Sequence, residues 1–514
     1  MRLCYSNVEN PFKFTISKRY DMRGKRILMV TSEATPFAKV GGLGEAVSFL
    51  CRALKKIGYD VRILIPFYGS LHNQKDAFRK HPAPLRVTLG DREYWTGVYE
   101  TFLPDSEVPV YCIDHEIAYS REGVYGSRTT PFFPDNAFRF ALLSRAAFSL
   151  SRLLGWIPHI IHSHDWPTAL CNVYLKALEQ NGEFHSTRGV LTIHNIGYQG
   201  IVPKEELGTI GLNWEQYHRY NLEYYDQINL LKAGILQADY LTAVSPRYAQ
   251  EILTPEFGSG LEGCVATRKD RLVGILNGID YNEWDSEKDP FLPYPFSITN
   301  LEGKALVKRF LQEQIGLPTI PDIPLIGMVG RIVEQKGFGL LLSHQPGDLF
   351  SICRDLEIQM VILGTGDPQF EEELARLAWK LPNLKVMLQF NTPLSHLIEG
   401  GSDFFLMPSI YEPCGLNQLY SLRYGAIPIV TNRGGLADTV EPYNETDGSG
   451  TGFVIPHPDT ESIFAEVKKA VDIYKQKPDH IKKLRISGMS KRFSWETAAE
   501  KYSEVYEKAL STPV

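Results

Sequence analysis

The run KVGGLGEA, Lys39 to Ala46, follows a strand-like apolar stretch at Ile27–Val30 and leads into a helical pattern at Val47–Ile57. Glycines at 41, 42 and 44 let the main chain take positive φ and approach a ligand closely, and the next helix presents unpaired N–H groups at its positive end. A strand, glycine turn and helix in this order bind anions, phosphates above all, and Lys39 adds a point charge within reach of a phosphate oxygen. Taken alone, the run reads more simply as a tight turn with a surface lysine. A second glycine-to-helix turn far along the chain, at Gly415, decides for an anion site.

Working outward, Asp60–Pro66 is the next buried strand, and the alternation of strand and helix from Lys25 onward predicts a parallel sheet with helices on both faces. Residues 84 to 113 differ: the shorter runs Leu85–Leu89 and Tyr94–Phe102 predict an antiparallel hairpin inserted before Val108–Ile113. A helix at Asn136–Leu154 precedes the strand His159–His162, which opens onto HSHDWPTAL. Ligands of open α/β sheets bind beyond the carboxyl ends of the strands, so Asp165 falls where a substrate group would sit. His162 and His164 beside that carboxylate resemble metal ligands, but they lack helical i, i+4 spacing and a third ligand, and packing with hydrogen bonding is the better reading. The strand Gly189–Ile193 leads into HNIGYQG, whose His194, Asn195, Tyr198 and Gln199 suit the lining of a sugar site. Leu241–Val244 is read as the last strand of this half, followed by a helix capped by Ser245 with Pro246 in its first turn.

Residues 254–273 carry turn residues, charge and little periodicity, which places the domain boundary there. The second half is expected to restart with a strand at Leu272–Leu276 and NGID at 277–280. Leu325–Val329 is a strand ending in GRIVEQKG, where Arg331 and Lys336 sit at a carboxyl end and suit a shared anion. Strands follow at Met360–Leu363, Val386–Phe390, Phe404–Pro408 and Ile427–Val430. YEPCGLNQL, Tyr411 to Leu419, follows the third of these: Glu412 can accept from a sugar hydroxyl, and the helix opening at Gly415 can hold a phosphate. Cys414 as a nucleophile is the weaker alternative, because no histidine accompanies it in sequence.

At 514 residues the chain exceeds a single core, and 43% hydrophobic with 22% charged residues describes a globular protein. A net charge of -6 gives no electrostatic case for nucleic acid or an anionic membrane surface. Seven cysteines without a Cys-x-x-Cys pair argue against disulfides or structural zinc, and the cytoplasm fits best. The division that follows is an N-terminal extension (1–24), an N-terminal Rossmann-like domain (25–253), a C-terminal Rossmann-like domain (254–490) and a closing helix (491–514).

KVGGLGEA, HNIGYQG, AVSPRYAQEI, ILNGID, GRIVEQKG, YEPCGL and GGLADTV, in this order, resemble the bacterial glycogen synthases and plant starch synthases, and the likeness runs from Lys25 to Tyr506. It implies the α/β GT-B architecture, two Rossmann-like domains facing across a cleft, and transfer of glucose from ADP-glucose to an α-1,4-glucan with retention and without metal or other cofactor. Carried over by position, it implies that Lys39 and Gly42 touch the donor and that Arg331 and Lys336 neutralise its diphosphate. Asp165, His194 and Asn277 would hold the transferred glucose, Glu412 its far hydroxyls, and Cys414, Gly415, Leu416 and Asn417 the distal phosphate region. Phe390 would stack on the adenine, and Glu33, Asn195 and Tyr198 would face the acceptor. A nucleotide sugar and an α-glucan are then the partners, with no nucleic acid and no membrane, while homo-oligomerisation and a plastid or granule location stay open.

Glu45, Pro167, the Ile410-Tyr411 pair and Asn417 depart from that pattern, which expects Asp, His, Arg-Phe and Thr respectively. Ile410 matters most, because it removes a cation near the phosphates. The residues therefore leave open a UDP-glucose-dependent enzyme, an epimerase or phosphorylase of the same architecture, and a catalytically weak glucan-binding homologue. The chain contains no Asp-x-Asp, the usual metal-bridging signature of the other transferase architecture.

Overall fold

The computed structural model describes residues 22–127 and 129–512, so all of the expected N-terminal extension but Met22–Gly24 lies outside them. Runs such as Ile27–Val30 and Val61–Ile65 are apolar at almost every position and buried on both faces, which only the interior of a parallel sheet permits. In the first sheet, Arg26–Val30 pairs in parallel with Asp60–Pro66 on one side and Ile160–His164 on the other. Arg188–Ile193 and Tyr240–Ala243 continue it beyond Ile160–His164, and Pro109–Asp114 extends it beyond Asp60–Pro66. The inserted hairpin is present, Leu85–Leu89 against Arg92–Phe102, and its long strand joins the sheet antiparallel to Pro109–Asp114.

The second sheet is parallel throughout, in the spatial order Leu384–Met387, Gln359–Leu363, Leu325–Val329, Phe404–Met407, Ile427–Thr431, Phe453–Ile455. In both sheets the strand order reverses beside the first parallel strand. Arg26–Val30 neighbours Ile160–His164 in one, and Leu325–Val329 neighbours Phe404–Met407 in the other. Such a reversal opens a crevice at the carboxyl ends of the two neighbours. The glycine run and Asp165 follow the first pair; GRIVEQKG and YEPCG follow the second.

Leu272–Gly274 pairs in parallel with Tyr240–Ala243 and thus ends the first sheet rather than starting the second, so the boundary expected after residue 253 cuts through the first domain. The strand expected at Val386–Phe390 is shifted too: it runs Leu384–Met387 and leaves Phe390 on the loop beyond.

The chain returns to the first domain through Trp495–Ser511, whose Trp495, Tyr502 and Tyr506 enter a core shared with the helix Gly42–Lys56. Tyr59 and Ser503 are joined by a 2.6 Å hydrogen bond between hydroxyls. The outgoing and returning segments run side by side, with the Ile279 N–H donating to Phe493 O at 2.9 Å. A Cβ on Gly278 would stand 2.5 Å from Trp495 N, so this double crossing requires glycine there. Among the described residues no helix is long and apolar enough to cross a membrane.

Candidate active site

The glycine run is shaped by a buried carboxylate. Glu33 Oε2 accepts from the main-chain N–H groups of Val40 (2.6 Å) and Gly41 (3.0 Å), and Tyr125 donates its hydroxyl to Oε1 at 2.6 Å. Glu33, expected to face the acceptor, is thus committed to the loop that precedes the helix. The glycines also act differently from expectation: Gly41 has φ −145°, and none of 41, 42 and 44 takes positive φ. What they supply is a missing side chain. A Cβ on Gly44 would come within 3.0 Å of Ala38 O, and one on Gly42 would face Leu416 Cδ1 of the other domain at 3.6 Å. Helix Gly42–Lys56 has no side-chain cap, which leaves its first-turn N–H groups for a ligand. Lys39 forms an ion pair with Glu45, which also accepts from Tyr420 across the cleft at 3.4 Å.

Asp165 opens a short helix with φ 53°, a left-handed conformation that L side chains avoid. Its Oδ1 accepts from the N–H groups of His194 (2.6 Å) and Asn195 (3.2 Å), tying the two expected sugar loops together. Burial pushes its carboxyl up to about 7, against the downward pull of those N–H groups. Burial also holds His194 neutral, down at about 3, and His164 well below the usual histidine range, so one donates and the other accepts in their 3.1 Å Nδ1···Nε2 bond. His162 uses both ring nitrogens structurally, toward Tyr506 (2.8 Å) and Thr192 (2.6 Å).

A stability effect follows from Asp165. Between the ordinary aspartate value and about 7, the folded protein keeps a proton that the unfolded chain releases, so this group costs stability progressively as pH rises through that window. Asn can still accept from both N–H groups. The stability of Asp165→Asn is therefore expected to rise relative to wild type from pH 4 to pH 7 and to level off above, a swing on the order of 4 kcal/mol. Thermal melts of both proteins across that range check it; a constant difference would show that the carboxyl ionises normally in the fold.

In the second domain, Lys336 forms an ion pair with Glu412, which also accepts from Ser409 Oγ at 3.0 Å. Close main-chain packing locks the two loops: a Cβ on Gly337 would stand 2.2 Å from Pro408 O, and Gly337 has φ 83°. Gly415 does take positive φ, 72°, just before the helix Asn417–Arg423. Asn417 turns its amide to the buried Glu399 (3.2 Å). Phe390 is 82% exposed, its ring free on the loop.

Cys414 is buried against the first domain's core, where the main-chain N–H of Asn277 donates to its sulfur. Burial pushes its thiol up to about 12, so it is neither a nucleophile nor open to the donor: the side chain expected at the donor packs between the domains instead.

Two features bring in residues that the sequence did not single out. Beside the HNIGYQG loop lies a cavity of about 380 Å³ whose lining includes Phe132, Trp166, Tyr198 and Tyr224. Tyr198 also reaches across the cleft, its hydroxyl 3.4 Å from Arg331 Nη1, so the aromatic cavity and the cationic loop meet. Farther along the cleft, the buried Glu251 accepts from the N–H of Gly434 (3.0 and 3.1 Å), and Asp438 accepts from the N–H of Arg247 (2.8 Å). A glutamate in a helix capped by Ser-Pro was the only local signal for that latch.

Residues 26–267 match the family model described as starch synthase catalytic domain, and residues 313–485 match glycosyl transferases group 1. Over 485 residues, 94% of this chain and 98% of the relative, the sequence is 48% identical to the glycogen synthase of Treponema denticola. The chain belongs to the glycogen and starch synthase family. Glycogen synthase 1 of Geobacter sulfurreducens is 41% identical over 94% of this chain and 96% of its own length. The solved catalytic domain of starch synthase IV from Arabidopsis thaliana, bound to ADP and acarbose, superposes with a TM-score of 0.86 at 32% identity, covering 95% of this chain and 100% of that one. Sucrose-phosphate synthase from Thermosynechococcus elongatus, at 16% identity and TM-score 0.57 over 94% of this chain and 98% of that one, shares the fold alone. This synthase is a glycosyltransferase of GT-B architecture that builds glucan, which sets aside the epimerase and phosphorylase readings.

Proposed function

We propose that the protein transfers glucose from ADP-glucose to the non-reducing end of an α-1,4-glucan, with retention of configuration and without a metal ion. The observation that carries the reading is the meeting of Tyr198 and Arg331 at 3.4 Å, which puts an aromatic, sugar-sized cavity directly beside the cations of the other domain. The adenine preference is supported by the 32% identical starch synthase IV, solved with ADP and acarbose, and by the free ring of Phe390.

Breaking the anomeric carbon–oxygen bond puts negative charge on the departing diphosphate and positive charge on the sugar. Arg331, Lys336, Lys39 and the uncapped helix at Gly42 offset the first, which does the work of a general acid. Asp165 and Glu412 flank the second. Asp165 orients the His194 and Asn195 main chain, and Glu412 is held by Ser409 and Lys336. Same-face attack by the glucan 4-hydroxyl, its proton passing to the leaving phosphate, gives retention without the carboxylate pair of a double displacement. Asn277, Gly415, Leu416 and Asn417 would line the donor, Asn195 and Tyr198 the acceptor.

The departures are compatible with turnover. Pro167 sits in the first turn of its short helix, where its missing N–H costs nothing. Ile410 keeps the loops joined through its main chain, donating to Gln335 O at 3.0 Å.

The stereochemical half is checked by proton NMR of the product formed with maltodextrin: the first-formed new linkage is expected to be α. A β linkage would require inversion and would overturn the same-face mechanism.

A further inference from the structure

Beyond the cavity's outer edge the chain forms a small three-stranded sheet, Glu223–Tyr224 and Ile201–Pro203 flanking Gln227–Asn229. Tyr224 and Ile201 both line the cavity. The two-residue turn joining Glu223–Tyr224 to Gln227–Asn229 is Tyr225-Asp226, with φ 50° and 63°. Positive φ at both central positions defines a type I′ turn, which favours Asn-Gly or Asp-Gly and penalises a bulky residue in the first position. Tyrosine occupies it nonetheless, and the residue is 83% exposed. Hydrophobic burial therefore explains neither the residue nor its conformation.

We infer that Tyr225 is an outer glucan-binding residue, stacking on a sugar ring of the acceptor chain where that chain leaves the cavity. The ring of Tyr225 stands edge-to-face on that of Tyr224, centroids 4.8 Å apart, so the aromatic lining continues from the cavity onto the surface. Lys204 pairs with Asp226 at 2.6 Å and places polar groups next to the ring, as a sugar with an apolar face and hydroxyl edges requires. The turn is fixed at its base by pairing of Tyr224 with Gln227, so the ring is presented by a defined scaffold. An α-glucan is the occupant whose chemistry fits both an aromatic track and a family that builds glucan. The inference rests on reading the cavity as the acceptor groove, and it assigns Tyr225 to long chains only: a short maltodextrin ends inside the cavity.

The turn makes the test separable from folding, because Asn is better suited than Tyr to this position and Tyr225→Asn should melt no lower than wild type. Native gel electrophoresis of wild type, Tyr225→Asn and Tyr225→Phe through amylopectin, with no nucleotide sugar present, reads binding alone. Wild type and Tyr225→Phe are expected to be retarded alike and Tyr225→Asn roughly five-fold less, while the affinity for maltotriose stays the same in all three. A wild type that runs as in a plain gel, a Tyr225→Asn variant retarded as strongly as wild type, or an equal loss of maltotriose affinity would overturn the assignment. Failure of the ADP-glucose reading would show separately, as absent transfer by a wild type that still binds amylopectin.

Discussion

Replacing Lys336 by Ala is expected to lower kcat on the order of 10²-fold or more, with the KM for glucan near its wild-type value. The ammonium stands at the carboxyl end of a switch-point strand, paired with Glu412 and one loop turn from Arg331. Its proposed partner, the leaving diphosphate, gains negative charge only as the sugar departs, so the interaction strengthens in the transition state and its loss falls on kcat. The protein should remain folded, because Glu412 keeps the Ser409 hydroxyl and Lys336 itself is partly solvated. Steady-state kinetics with glucan and donor varied in turn check this; an unchanged kcat with a raised KM for glucan would move Lys336 to the acceptor groove.

Glu412→Gln is expected to cut kcat by roughly 10²-fold with little change in melting temperature. A neutral amide still accepts from Ser409 and from a sugar hydroxyl, so a purely structural Glu412 would leave turnover within a few-fold of wild type. What Gln lacks is the charge that holds Lys336 and faces the positive sugar. Because the two residues form one ion pair, their effects should not add: the Lys336→Ala/Glu412→Gln double variant should fall well short of the product of the single losses. A Glu412→Gln protein that melts early but turns over normally when folded would make Glu412 a structural brace.

Both predictions concern loops legible in the sequence, for a definable reason. Strands buried on both faces read as unbroken apolar runs, and Asp60–Pro66 and Leu325–Val329 begin and end where the runs do. Once strands are placed, the residues just beyond their carboxyl ends are the candidate site, and the structure ties Asp165 to the His194 main chain and Lys336 to Glu412.

What failed was whatever depended on a distant partner. Leu272–Gly274 is a three-residue run whose sheet is decided by its neighbour, Tyr240–Ala243, and nothing in its own composition distinguishes the two domains. Glu33 looked free because Tyr125, which claims one of its oxygens, lies 92 residues away. The aromatic cavity adds to Tyr198 the rings of Phe132, Trp166 and Tyr224, none of which stands out in its own segment. Glycine identity was visible at 41, 42 and 44, but whether it served φ or close approach depended on Ala38 and Leu416.

The central claim is that cations of the chain, acting across the cleft, drive glucosyl transfer from ADP-glucose. Its most direct test is the incorporation of radiolabelled glucose into maltodextrin by metal-stripped protein in excess EDTA, with ADP-glucose and UDP-glucose compared at equal concentration. Incorporation from ADP-glucose that exceeds that from UDP-glucose and is unchanged when magnesium is restored is the predicted result; incorporation abolished by EDTA and recovered with magnesium would contradict the account.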